Sequence, residues 1–133
     1  MPLVMVIDDE PYVCGALKKV LERAGFEVET APGPEEALFM MLKREPQVVI
    51  TDVIMPKSSG VDAIKTIKSH FPAVRIIAIS GGGSIGLDNY RPNSLDTSAY
   101  LAAAKLAGAD TVLAKPFETR ELLALLNGVL ATA

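Results

Sequence analysis

The chain has few of the residues from which disulfides and soft-metal sites are built. Its 133 residues include one cysteine, one histidine and no tryptophan. Because Cys14 is alone, we expect neither a disulfide framework nor a cysteine-based metal site, and we expect its thiol to be buried in a helix. His70 has no Cys, Asp or Glu beside it at ligand spacing, which argues against a metal site there.

The chain also lacks basic runs and long apolar runs. Its 13 Lys and Arg residues are scattered, and the net charge of −3 with a pI near 5.1 argues against direct binding of nucleic acid. No apolar stretch has membrane-spanning length and no signal peptide is visible, so we expect a cytoplasmic protein without membrane contact. Half of the residues are hydrophobic and 22% are charged, which predicts one globular domain over residues 1–133.

Apolar stretches alternate with helical patterns along the whole chain. Continuous apolar runs that end at a breaker are typical of strands buried on both faces of a parallel sheet. Five strands and five helices predict an α/β fold, a doubly wound, flavodoxin-like (βα)5 domain with a five-stranded parallel sheet in the order 2-1-3-4-5. The predicted strands are 3–7, 26–31, 48–52, 76–80 and 111–114, and the helices begin near 11, 34, 58 or 59, 96 or 97, and 118 or 119.

Two details of this pattern carry further expectations. In the second helix, Ala37, Leu38, Met41 and Leu42 are predicted to face inward. Residues 81–94 have neither a helical nor a strand period, and strand-to-helix loops usually take about 2–6 residues. We therefore expect an insertion there, between the fourth strand and the fourth helix.

Four of the five predicted strands end in a polar group that can do chemistry. Asp8 and Asp9 follow the first strand, Asp52 ends the third, Ser80 the fourth, and Lys115 follows the fifth. Ligands of open α/β sheets bind at this carboxyl edge. Carboxylates packed together need a cation, and an all-oxygen cluster suits a hard ion such as Mg²⁺. With a lysine and a hydroxyl opposite, the set suits phosphoryl transfer, in which Asp52 is the nucleophile that forms an acyl phosphate.

In their order along the chain, these motifs resemble those of a response regulator receiver domain. The resemblance covers nearly the whole chain. The motifs that carry it are Asp8-Asp9, the segment Asp52-Val53-Ile54-Met55-Pro56 with Gly60 after it, Ser80-Gly81, Gly108-Ala109-Asp110 and Lys115-Pro116-Phe117.

The resemblance implies that Asp52 accepts a phosphoryl group from a phosphohistidine on a sensor histidine kinase or a histidine phosphotransfer protein. It implies a Mg²⁺ ion, with Mn²⁺ as an alternative, held directly by Asp9, Asp52 and the backbone carbonyl of Ile54. Asp8 would act mainly through water. The chain would then be a phosphoacceptor of a two-component or phosphorelay system and not a multiple-turnover enzyme.

The resemblance also implies how the phosphorylated state is held and read. Ser80 and Lys115 would hold phosphoryl oxygens, with Ser80 moving toward the phosphate, and the Lys115–Pro116 bond would be cis. The switch would control binding of a downstream protein or an attached output domain, and a homodimer is left open.

Two features depart from the family pattern. The position three residues before the lysine usually holds Tyr or Phe, which rotates inward, whereas this chain has Val112. The second departure is the insertion at 81–94, which we interpret either as part of the readout, with Tyr90 and Arg91 on a lid or docking surface, or as a tolerated loop.

Three other functions are weaker interpretations of the same residues. Gly81, Gly83 and Gly86 satisfy a dinucleotide-binding pattern, but they follow the fourth strand and open no helix directly. A phosphohydrolase of the haloacid dehalogenase type needs a second Asp two residues after its nucleophile. Ile54 occupies that position after Asp52, and the longer Glu10 occupies it after Asp8. A degenerate receiver that only binds partners is disfavoured because every chemical position is filled.

Overall fold

The computed structural model describes residues 2–55, 58–80 and 102–131. Five parallel strands form one sheet with the order β2-β1-β3-β4-β5, which confirms the predicted topology. The strands are β1 (Leu3–Ile7), β2 (Glu27–Ala31), β3 (Val48–Asp52), β4 (Arg75–Ser80) and β5 (Thr111–Ala114). The helices are α1 (Pro11–Arg23), α2 (Pro34–Lys43), α3 (Gly60–His70), α4 (residues 102–107) and α5 (Thr119–Ala131).

The core lies on both faces of the sheet because the central strands β1, β3 and β4 are apolar at most positions, and their polar residues lie at or near the strand ends. Side chains of successive residues point to opposite faces, so Val4 and Val6 join one hydrophobic cluster and Met5 and Ile7 the other. Helices α1 and α5 cover the first face with side chains such as Leu21 and Leu122, and α2, α3 and α4 cover the second. This is the doubly wound arrangement.

The inward prediction for Leu42 is wrong. Ala37 and Met41 of α2 are buried and Leu38 is partly buried, as expected, but the Leu42 side chain is 74% exposed. Each helical residue turns the side chain by about 100°, so a helix that buries Ala37 and Met41 carries Leu42 onto its outer side. The apolar character of Leu42 favours the core, but its position on the helix is on the solvent face.

The predicted helix and strand starts agree with the structure within a few residues. Helix α3 begins at Gly60, after a short antiparallel ladder between Ile54–Met55 and Ser58–Ser59. The proposed insertion at 81–94 and the predicted start of the fourth helix lie outside the described residues. Of the helices that the structure describes, none is long and apolar enough to cross a membrane.

Asp110 fixes the amino edge of β4 and β5. Its Oδ2 accepts a hydrogen bond of 2.8 Å from the backbone N–H of Ile76 and lies 3.3 Å from Lys68 Nζ. Arg75 is a second cation at 3.5 Å, and the Lys68 ammonium also donates to the carbonyl of Val74 at 2.8 Å. The Gly-Ala-Asp motif therefore joins α3, β4 and β5 at the edge opposite the polar strand ends.

Candidate functional site

The strand register brings the polar strand ends to one edge of the sheet. Ile7 pairs with Thr51, so the next residues, Asp8 and Asp52, leave neighbouring strands together. Asp52 in turn pairs with Ile79. Ser80 pairs with the last residue of β5, directly before Lys115. The sequence prediction that these residues share one edge is confirmed at the level of the backbone.

Asp52 and Lys115 form the charged centre of this edge. The Asp52 carboxylate is buried, and its Oδ2 lies 3.7 Å from Lys115 Nζ. Two backbone hydrogen bonds hold the surrounding chain, from Val53 N–H to the Ile79 carbonyl and from Lys115 N–H to the Ser80 carbonyl, each 3.0 Å. The Lys115–Pro116 peptide bond is cis, as the resemblance implied.

Asp8 adds a second buried carboxylate beside this pair. Its backbone N–H donates to the carbonyl of Ala31 at 3.1 Å, and its Oδ1 accepts from the backbone N–H of Glu10 at 2.9 Å. Burial raises the pKa of the Asp8 carboxyl, while the Glu10 hydrogen bond and the Lys115 charge act in the opposite direction. The edge therefore holds more negative charge than its lysine offsets.

Ser80 places a hydroxyl at this edge that is not used by any residue in the described part of the chain. The side chain is fully buried, and within residues 2–55, 58–80 and 102–131 its Oγ has no hydrogen-bond partner. Leaving a buried polar group unpaired costs about 1–3 kcal/mol. An orphan hydroxyl at the end of β4, next to the Asp52 strand, is what a site for an external oxygen ligand would require.

The oxygen atoms of Asp8, Asp52 and Ser80 are the donors that this edge offers to a hard cation. Among the residues that the structure describes, no three His, Cys, Asp or Glu side chains form a ready-made cation site, and Asp9 is exposed. Mg²⁺ needs only one or two carboxylates and completes its shell with water and phosphate oxygens. Two buried carboxylates with an orphan hydroxyl on the neighbouring strand fit such an ion.

Gly60 lets α3 start against the backbone that follows Asp52. A Cβ at this position would lie 2.6 Å from the carbonyl oxygen of Val53 and 2.7 Å from its carbonyl carbon, closer than real Cβ contacts come. The close approach of two backbone segments explains why glycine is needed here.

A cavity that sequence reasoning missed lies beside the charged centre. It has a volume of about 170 Å³ and is lined by Asp8, Asp52 and Lys115 together with apolar side chains of α1 and by Phe117. Tyr12, at the start of α1, also lines it and is 85% exposed. The one signal in the sequence is an aromatic residue, Tyr12, in the first turn of the helix that follows the acidic pair.

Comparison with known proteins identifies the family. The model of the response regulator receiver domain matches residues 4–90. This chain belongs to that family. The function of the family is to accept a phosphoryl group in two-component signalling, and receiver domains are generally Mg²⁺-dependent.

Full-length and partial relatives give the same assignment. The chemotaxis protein CheY of Thermotoga maritima is 31% identical over 127 residues, covering 95% of this chain and 95% of CheY. The response regulator MprA of a Mycobacterium species is 31% identical over 131 residues, which are 98% of this chain and 51% of MprA. This receiver chain therefore spans about half the length of MprA, a longer protein.

Solved structures agree with the fold. A receiver domain protein from Clostridium thermocellum superimposes with a TM-score of 0.80 at 32% identity, covering 99% of this chain and 96% of that one. The match supports the α/β topology described above.

This receiver domain departs from its family pattern at Val112. The side chain is partly buried in β5 and packs against the cluster that contains Ala104 and Ala109. A valine in that place packs against the core with a side chain that has no ring to rotate. The departure noted in the sequence therefore lies at the margin of the hydrophobic core.

Proposed function

We propose that Asp52 is the phosphoacceptor of this receiver domain and that residues 1–133 form one such domain. The observation that carries the proposal is the fully buried Ser80, whose Oγ is unpaired within the described residues, on the strand next to the Asp52–Lys115 pair. A nucleophilic carboxylate, a cation and a free hydroxyl are the groups that phosphoryl transfer to a carboxylate requires.

Each group has a separate task in this reaction. A carboxylate oxygen of Asp52 attacks the phosphorus of a phosphohistidine, forming a P–O bond as the P–N bond to the imidazole breaks. Lys115 offsets negative charge on the transferred group, and Ser80 Oγ donates a hydrogen bond to one of its oxygens. The imidazole leaves with the electron pair of the broken bond.

We propose Mg²⁺, or Mn²⁺ in its place, as the cofactor. Asp9, Asp52 and the Ile54 backbone carbonyl would bind the ion directly, and Asp8 would act through water. When bound, the ion neutralises charge on the carboxylates and on the phosphoryl oxygens. The raised pKa of Asp8 and the excess of carboxylates over lysine support a cation at this edge.

The proposed donors are a sensor histidine kinase or a histidine phosphotransfer protein. The cavity beside Asp52 supports a protein donor, because Tyr12 and Phe117 offer aromatic surface directly next to the reacting carboxylate. Ile54 stands two residues after Asp52 and has no proton to give, so the chain is proposed to be a phosphoacceptor and not a multiple-turnover phosphatase.

The output is proposed to be a change in binding to a downstream protein or to an attached output domain. Phosphorylation adds about −1.5 to −2 charges to an acidic edge, which biases the domain between two conformations. With Val112 in β5, the conformational change is proposed to reach the α4 side by movement of Ser80 and of the backbone, without rotation of a ring.

Intact mass after incubation with Mg²⁺ and acetyl phosphate tests this proposal. The parent chain is expected to gain one hydroxylamine-labile phosphoryl group, and Asp52→Asn is expected to gain none. Asp110→Asn, which alters a carboxylate at the opposite edge, is the control and should still be phosphorylated. A parent chain that gains nothing, or an Asp52→Asn variant that gains the same labile group, would overturn the assignment.

A further inference from the structure

The outer face of α2 exposes two large apolar side chains next to each other. Phe39 is 62% exposed and Leu42 is 74% exposed, while Ala37 and Met41 on the opposite side of the same helix are buried. Residues three apart are neighbours on a helix surface. The pair therefore forms one continuous apolar strip in water, on a helix whose other side already belongs to the core.

Charged residues at the two ends of α2 border this strip with opposite signs. Glu35 and Glu36 lie in the first turn and Lys43 in the last. Arg44 is already bound, since its guanidinium contacts both carboxylate oxygens of Glu27 at 2.6 and 2.7 Å. Lys43 lies over the ring of its own Phe39, with Nζ 4.8 Å from the centroid.

The two glutamates have no such partner within the part of the chain that the structure describes. The ion pairs there involve Glu22, Glu27, Glu29 and Glu118 but neither Glu35 nor Glu36. The helix therefore presents acid, apolar surface and base in that order from its amino to its carboxyl end.

Two copies of a helix with this order of groups are complementary when they pack antiparallel. Phe39 lies midway between Glu35 and Lys43, four residues from each. A two-fold axis beside Phe39 sets two α2 helices antiparallel, with the rings in contact, the acidic first turn of each helix against the basic last turn of the other, and the helix dipoles opposed.

We propose that the α2 face (Glu35, Glu36, Phe39, Leu42 and Lys43) binds a second copy of this chain, as an antiparallel helix pair. The neighbouring edge strand β2 is not suited to pairing with a second copy of the chain. Its edge carries Glu27 and Glu29, paired with Arg44 at 2.6 and 3.9 Å, and charged side chains at an edge oppose strand addition.

The size of the α2 face determines the strength of the dimer contact, and its distance from Asp52 determines whether phosphorylation affects that contact. A ten-residue helix is about 15 Å long, so a pair of them buries less than the roughly 1,200–2,000 Å² of stable interfaces and gives a weak dimer. Helix α2 follows β2, the outer strand, and packs on core residues away from Asp52 and Lys115. The contact therefore forms whether or not the domain is phosphorylated.

Sedimentation velocity of the full chain, from about 5 to about 500 μM, measures this association. The parent and Asp52→Asn are both expected to dimerise over this range, so the result is independent of phosphorylation at Asp52. Phe39→Ala is expected to weaken dimerisation at least about tenfold. Leu106→Ala, which truncates an 89% exposed leucine of α4, is the matched control and leaves it unchanged.

Charge exchange tests the antiparallel order. Lys43→Glu alone and Glu35→Lys with Glu36→Lys are each expected to self-associate at least about tenfold more weakly, and an equimolar mixture of the two proteins is expected to regain association. The proposal is overturned by a parent chain that stays monomeric throughout, by a dimer that Phe39→Ala leaves intact, or by a mixture that does not recover.

Discussion

At the scale of single residues, the side chains at the carboxyl edge of the sheet lower the stability of the folded chain when no ligand is bound. Asp8 and Asp52 are both buried next to one lysine, and the Ser80 hydroxyl has no partner in the described chain. Burial raises the pKa of Asp8, which means that the charged form is disfavoured in the folded state. A core designed for stability alone would place apolar side chains here. The arrangement becomes favourable when a cation and an oxyanion join it.

Asp8→Asn tests this account in the absence of metal. The pKa of Asp8 is raised on folding, so stability falls as pH rises from the ordinary Asp range through the folded-state value, and the full penalty is present above it. With a chelator at neutral pH, the variant is expected to have a higher free energy of unfolding than the parent in urea denaturation, and the difference should shrink toward acidic pH. Asn can still accept the Glu10 hydrogen bond.

Addition of Mg²⁺ should make the parent more stable to unfolding than Asp8→Asn, which is the reverse of the order in chelator. The parent gains stability by binding the ion, and the variant gains less because one carboxylate is gone. Asp9→Asn is the control for burial, since Asp9 is exposed and its replacement should change the metal-free stability less than Asp8→Asn does. A variant that is less stable than the parent in chelator would contradict the account.

At the scale of elements, the sequence pattern predicts the strands well, but it predicts less well which side of a helix faces the core. The strands were predictable because continuous apolar runs end at polar residues or breakers, as in β1 and β3. The side of a helix on which a residue lies is less predictable, since Leu42 is predicted to face inward with Ala37, Leu38 and Met41 but is exposed. Its position on the helix relative to Met41 puts its side chain in water.

A pair of glycine substitutions checks the packing of two helices. Gly60→Ala places a Cβ against the Val53 backbone, and we expect a loss of about 1–3 kcal/mol in the free energy of unfolding. Gly15→Ala adds a Cβ in the interior of α1 with no atom within 4 Å, and we expect a gain of roughly 0.5–1 kcal/mol. Urea denaturation measures both changes. A Gly60→Ala variant as stable as the parent, or a Gly15→Ala variant less stable than the parent, would contradict this description of the two helices.

At the scale of the whole molecule, the topology brings distant residues to one site. Asp8, Asp52, Ser80 and Lys115 come from different strands, and their meeting could be predicted because parallel strands end at a common edge. The cavity lined by Tyr12 and Phe117 could not be, since it depends on how α1 sits on the sheet. The partly buried position of Val112 against the core likewise follows from tertiary packing.

Tyr12→Ala separates binding of a protein donor from the chemistry. Tyr12 is exposed beside the cavity, so its loss should slow phosphotransfer from a phosphohistidine protein that phosphorylates the parent, by about tenfold or more. The rate with acetyl phosphate should be unchanged, because the ring has no role in the transfer itself. Phe39→Ala, which removes an exposed ring from α2, is the control and should affect neither rate. Slower reaction with both donors would place Tyr12 in the chemical step.

The most direct test of the central claim is to locate the phosphoryl group on the chain. Borohydride reduces an aspartyl phosphate to homoserine, which marks the modified residue permanently. Peptide mass spectrometry after phosphorylation in Mg²⁺ and borohydride treatment is expected to find homoserine at position 52. No homoserine is expected there when the metal is chelated, and Lys115→Ala is expected to give a lower yield of homoserine than the parent. Homoserine at position 8 or 9 with an intact Asp52 would contradict the account.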